Sequence, residues 1–234
     1  MRPLLNSPAT EEHMGNNLRL RLISSLLTGA MTIWIIFAGG FWLYVEIAIC
    51  LCGLLIEWSK INHTKKTALF VGGVTYITAP MIFWLWSAIY RQEAMIRSIL
   101  WILTIVCSCD IFAFFGGKLL KGPKFAPKIS PNKTWSGVFI GGVFAFLASI
   151  IYIFFSEWPS ETNFAKIIMS VIIIIAAVLG DLLESKVKRI LGVKDTGKII
   201  PGHGGICDRL DSFLLASNVF IILDYSLKMG FIFG

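Results

Sequence analysis

Seven nearly unbroken apolar stretches run through the chain, at 22 to 39, 40 to 57, 69 to 89, 98 to 116, 135 to 155, 165 to 184 and 213 to 233. Each has about 17 to 22 residues, the length at which an α-helix crosses the hydrocarbon of a bilayer. Backbone polar groups in hydrocarbon must be satisfied internally, so such segments persist only as helices. The chain shows none of the short alternating strands of a membrane barrel. The pattern predicts an all-α, polytopic integral membrane bundle of about seven transmembrane helices, in one domain. The first 21 residues read as a polar tail without the pattern of a cleavable signal peptide.

Composition points the same way. Of 234 residues, 56% are hydrophobic and 15% charged, more apolar surface than a soluble domain of this size can bury. Four of the five cysteines, Cys50, Cys52, Cys107 and Cys109, lie in apolar stretches and Cys207 in a charged loop. They read as small apolar residues, and disulfides are not expected.

The net charge of +7 becomes informative once placed on loops. With seven spans and a cytoplasmic N-terminus, 17 of the 21 lysines and arginines fall on the cytoplasmic side and 4 on the other. That bias follows the positive-inside rule and supports count and orientation together. It predicts a multi-pass protein of the cell's inner membrane. Topology and attraction to anionic lipid account for the basic loops without a nucleic-acid partner.

The first half reads as scaffold: a helical hairpin turning at Gly39 and Gly40, a short basic loop, and an aromatic-rich helix containing Pro80. Glu57 and Trp58 suit a helix end at the interface, with the carboxylate in headgroup water. Glu46 lies deeper, where an ionised group costs about 2.5–3.5 kcal/mol or more, and no role is assigned to it.

Two cytoplasmic loops, 116 to 133 and 185 to 212, carry the unusual content. The second begins inside the sixth helix, where Asp181, Glu184 and Ser185 share one face at i, i+3 and i+4, continued by Lys188 and Arg189. An acidic residue inside a membrane span is by default a functional candidate. Farther on, Pro201-Gly202-His203-Gly204-Gly205 precedes Asp208, Arg209 and Asp211. Closely spaced glycines let backbone amides turn toward an anion, and Asp208 and Asp211, one turn apart, suit magnesium held jointly with substrate phosphates. In the first loop, Ser130 is placed to cap a helix beginning at Pro131, with Lys133 and Thr134 adding a cation and a hydroxyl to an anion-binding N-terminus. Asp110, inside an apolar helix, points toward the same side and calls for a basic loop residue or a metal as partner. His203 reads as a hydrogen-bond donor to phosphate ahead of two other readings, a general base and a plain polar turn residue. Neither a hydrolase elbow nor HExxH occurs.

The run from Ser185 to Asp211, SKVKR, four residues, KDTG, three residues, PGHGGICDRLD, resembles the signature of the phosphatidate cytidylyltransferases over all 27 positions. The SPNKTW run and the helix of Asp110 are similar to that family's upstream elements, so the resemblance covers roughly 105 to 215, with 22 to 104 as helical scaffold and 213 to 233 as the last helix. Phe114 departs from the family's pattern, where tyrosine is common, and the chain looks shorter than many members. The resemblance implies transfer of a cytidylyl group from CTP to phosphatidate, giving CDP-diacylglycerol and pyrophosphate, at a bilayer surface. It implies magnesium or another divalent cation, held first by Asp181 and Asp208, with Asp110, Asp195 and Asp211 as lesser candidates; a second cation stays open. Lys133, Lys194 and Arg209 are the expected phosphate contacts. Ser130, Thr134, Ser185, Lys188, Arg189, His203, Gly204 and Gly205 are expected to bind substrate. Family analogy suggests a homodimer. Another membrane lipid phosphate as acceptor and an ion pathway through Asp110, Asp181 and Glu184 are the competing readings.

Overall fold

The computed structural model describes residues 27, 29–61, 66–156, 163–193, 195–197, 204–227 and 231–232. Seven helices follow in order: α1 (Gly29–Ala38), α2 (Gly40–Lys60), α3 (Thr67–Tyr90), α4 (Gln92–Leu120), α5 (Trp135–Phe155), α6 (Asn163–Leu191) and α7 (Cys207–Leu227). Six of them, α2 to α7, are long and apolar enough to span a membrane. Of the first predicted stretch, Leu27 and residues 29–39 are described, 22–26 and 28 lying outside the described residues. The hairpin turn falls where glycine permits it, with φ of +62° at Gly39 and +52° at Gly40. Large apolar side chains such as Phe41, Phe139, Phe154, Phe155 and Phe164 are exposed along the helices, which suits lipid contact and would be intolerable in water. All five cysteines are free.

α4 and α5 pack most tightly, and the sequence of α5 explains it. Its buried residues are Gly137, Gly141, Ala145 and Ser149, all small and four apart, one face of the helix. Between membrane helices, where lipid is as apolar as leucine, such a stripe lets backbones approach. A Cβ on Gly141 would lie 2.6 Å from the Cys109 carbonyl oxygen and 2.9 Å from the Ala113 Cβ. Gly141→Ala is therefore expected to force the pair apart and cost about 1–3 kcal/mol, read as a lowered thermal unfolding midpoint in detergent. Deeper in the bundle, Trp101 Nε1 donates to Ser149 Oγ at 2.7 Å, Ser149 pairs with Ser170 at 2.7 Å, and Ser170 donates to the Lys166 carbonyl at 2.7 Å. This chain ties α4, α5 and α6 through satisfied buried hydroxyls.

Two predicted elements are corrected. Ser130 does not cap a helix starting at Pro131: Ser130–Thr134 is strand β2, paired antiparallel with β1 (Lys124–Ala126). Pairing with β1 satisfies backbone groups that an isolated helix start would leave open, and Pro131 fits a two-stranded edge because it has no N–H to lose. The cap is Thr134, whose Oγ1 accepts from Gly137 N at 3.1 Å, so the helix begins at Trp135. The last helix starts at Cys207, six residues earlier than 213. It therefore carries Asp208 and Asp211 in its first turns.

α4 and α6 each have 29 residues, about 44 Å at 1.5 Å per residue, and so outrun a hydrocarbon core of about 30 Å. Their last turns, together with the hairpin, the end of α2 and the start of α7, converge at one end of the bundle.

Candidate functional site

At that end a cavity of about 880 Å³ opens between α4, the β1–β2 hairpin, α5 and α6. Its polar lining includes Asp110, Lys118, Lys121, Lys124, Ser130, Asn132, Lys133, Thr134 and Asp181. The hairpin carries Lys133 over the cavity. There its Nζ meets Asp181 Oδ2 at 2.6 Å, with side chains 23% and 30% exposed. Ser185, one turn along α6, donates to Asp181 Oδ1 at 3.3 Å, so both oxygens of that carboxylate are oriented.

The second cluster lies between α6 and α7. Lys188 Nζ is shared by Glu184 Oε2 and Asp208 Oδ1, both at 2.8 Å. Asp208 also accepts from Gly205 N at 2.9 Å and from Thr196 N at 3.1 Å. Gly205 of the glycine run thus turns its amide onto a carboxylate of the protein itself, three residues on in sequence, and Thr196 adds a second amide. α6 and α7 touch because Gly180 leaves room, a Cβ there falling 2.7 Å from the Asp211 carbonyl oxygen. That approach brings Asp211 within electrostatic reach of Asp181 and Glu184, and of Asp110 beyond.

Five carboxylates, Asp110, Asp181, Glu184, Asp208 and Asp211, are therefore served by two paired lysines. Glu184 Oε1 is buried without a hydrogen-bond partner. A surplus of hard oxygen donors and an orphaned carboxylate oxygen fit a divalent cation. Among the described residues no three His, Cys, Asp or Glu side chains gather closely enough to hold a metal ion by themselves.

Other predicted residues fall outside these clusters. Arg189 and Arg209 are exposed on the last turn of α6 and the first turn of α7, and Asp195 is exposed; none lines the cavity. Gly204, at a φ of +86°, instead borders the second cluster, a Cβ on it falling 2.9 Å from Asp208 Oδ2. Lys194 and His203 lie outside the described residues. Two groups were not foreseen. Lys118, Lys121 and Lys124 are expected only as part of a basic loop and are not singled out as site residues, yet they line the cavity. Glu57, expected in headgroup water, is 1% exposed and accepts from Cys207 N at 3.0 Å.

A narrower apolar cavity of about 250 Å³ lies between α2, α3, α6 and α7. Trp58, Tyr76, Leu183 and Val187 line it, and it ends at Glu184, Lys188 and Asp211.

Residues 64–227 match the model of the Cytidylyltransferase family. The phosphatidate cytidylyltransferase of Rickettsia typhi is 35% identical over 218 residues, covering 90% of this chain and 94% of that protein. That of Rickettsia bellii is 36% identical over 217 residues, covering 89% and 91%. The Brucella abortus enzyme of the same name is 31% identical over 250 residues, covering 86% and 91%. A family match across most of the chain, with relatives above 30% identity over nearly their whole lengths, makes this helical membrane protein a member of the cytidylyltransferase family.

Proposed function

We propose that the chain transfers a cytidylyl group from CTP to phosphatidate, forming CDP-diacylglycerol and pyrophosphate for phospholipid synthesis. The single observation that carries this reading is the basic cavity at the end of the bundle, with the Lys133–Asp181 pair at 2.6 Å on its wall. The names of the relatives supply the substrates.

The reaction joins a phosphatidate oxygen to the α-phosphorus of CTP and breaks the bond from that phosphorus to the bridging oxygen of the β-phosphate. Pyrophosphate leaves with the electron pair. A phosphate monoester carries about −1.5 to −2 charge near pH 7, so the nucleophile needs no general base. The barrier lies in bringing two polyanions together. Lys118, Lys121, Lys124 and Lys133 attract and neutralise them, and the start of α5, with its positive end at the cavity, favours phosphate. Lys133 and the start of α5 are held by the bundle and hairpin, so they are organised before substrate arrives. Asp181 and Asp208, with Glu184 and Asp211 beside them, would hold a divalent cation, which supplies charge neutralisation at the nucleotide phosphates. Asp110 extends the acidic side of the cavity. Lys194, Arg209 and His203 remain proposed phosphate contacts from the signature, as do Arg189, Gly204 and Gly205.

The basic bias of the loops supports placing this end in the cytoplasm, where CTP is available, and the protein in the cell's inner membrane. A homodimer rests on family analogy alone.

The test is product identification. Purified protein in detergent, given CTP and phosphatidate with magnesium, should yield CDP-diacylglycerol by mass spectrometry and one pyrophosphate per lipid formed. Chelation by EDTA should abolish the product and added magnesium restore it. Cytidylylation of a different lipid phosphate, with phosphatidate inert, would redirect the assignment to that acceptor.

A further inference from the structure

Glu57 sits in the last turn of α2, a position where the negative end of the helix dipole disfavours an acid. It is nonetheless 1% exposed, enclosed by a loop some 150 residues away in sequence. Its Oε2 accepts from Cys207 N at 3.0 Å, the first residue of α7. A carboxylate at that point satisfies an open amide and complements the positive end of α7. The loop has shaped itself around the carboxylate on two further sides. A Cβ on Gly197 would fall 2.5 Å from Glu57 Oε1, and one on Gly205 would fall 2.5 Å from Glu57 Oε2. Both Glu57 Oε1 and Thr196 Oγ1 are buried without partners.

The residues touching Glu57 are neighbours of those that hold Asp208. Thr196 N and Gly205 N donate to Asp208, and Asp208 follows Cys207 directly. We infer that Glu57 is a positioning residue for cytidylyl transfer: as a cap on α7 supplied by α2, it fixes the glycine turn that aims Asp208. The scaffold half of the chain thereby enters the active site through one side chain. Trp58 beside it is braced in turn, its Nε1 donating to the Phe70 carbonyl at 3.0 Å.

What the role demands is an acceptor of this size in this place. Glutamine supplies one, with its amide nitrogen in the position of the unpartnered oxygen, whereas alanine leaves Cys207 N buried and unsatisfied. The inference rests on the cytidylyltransferase reading, so one arm of its test is independent of activity. In a background with Cys50, Cys52, Cys107 and Cys109 replaced by alanine, buried Cys207 is the sole thiol, and its maleimide labelling rate reports on the turn. Glu57→Ala should raise that rate at least tenfold and lower kcat at least tenfold, with KM for CTP changed less than threefold. Glu57→Gln should keep both rate and kcat within threefold of the parent. Gly197→Ala, which displaces the carboxylate from its other side, should reproduce the alanine phenotype and serves where Glu57→Ala does not fold. A protected Cys207 and unchanged kcat per folded molecule in Glu57→Ala or Gly197→Ala, a loosened turn without loss of kcat, or a glutamine variant as impaired as alanine would each overturn the assignment. If the parent makes no CDP-diacylglycerol, the functional reading fails, and labelling alone decides whether Glu57 anchors the turn.

Discussion

Asp208→Asn is expected to lower kcat by about 10²–10³-fold, the usual effect of removing one preorganised electrostatic group from an active site, while the protein stays folded. One asparagine oxygen can serve either Lys188 or the amides of Thr196 and Gly205, which the two carboxylate oxygens serve together. The amide nitrogen then faces a lysine. Magnesium dependence should shift to higher concentration, because a ligand charge is gone. Asp208→Ala is more severe, since it strands two buried amides and leaves Lys188 with Glu184 alone. Breaking a buried pair costs about 3–5 kcal/mol, and the surviving Glu184 contact argues for the lower end. Thermal unfolding with and without CTP, beside steady-state kinetics, separates the two variants. An asparagine variant with full turnover at unchanged magnesium demand would remove Asp208 from the site.

Lys133→Met should cost a comparable factor in kcat with a smaller effect on KM, because Lys118, Lys121 and Lys124 still attract the nucleotide. The observation behind it is the 2.6 Å contact with Asp181 across the cavity wall. A structural ion pair and a catalytic one differ in the double variant. If the pair only braced the hairpin against α6, neutralising both partners would remove the stranded charge and recover both stability and activity. Lys133→Met with Asp181→Asn is expected to recover the unfolding midpoint of the parent and none of the turnover. Recovery of turnover would assign the pair to folding alone.

Bilayer-length apolar runs located the helices because hydropathy reports contact with lipid. It does not report where a helix stops. α4 and α6 continue to Leu120 and Leu191, staying helical through charged residues beyond the apolar stretches. The hairpin escaped notice for a related reason: SPNKT becomes a strand only by pairing with Lys124–Ala126, a contact that local capping signals do not contain. Asp181 and Asp208 stood out as carboxylates in or beside a span, and the signature spacing marked them again. The pairing of Asp181 with Lys133 and of Asp208 with Lys188 could not be read, since it depends on how α6 packs against the hairpin and α7. Glu57 did leave a signal. An acid in the last turn of a helix opposes the macrodipole, so it needs a partner, and headgroup water was the wrong one to assign.

The most direct test of the central claim is pyrophosphate release that depends on both CTP and phosphatidate, followed across a magnesium titration for wild type and Asp181→Asn. Release is expected only with all three components in wild type, matched mole for mole by CDP-diacylglycerol, and at a rate in the variant that is at least a hundredfold lower or needs far more magnesium. Release without phosphatidate, or an Asp181→Asn variant indistinguishable from wild type at every magnesium concentration, would contradict it.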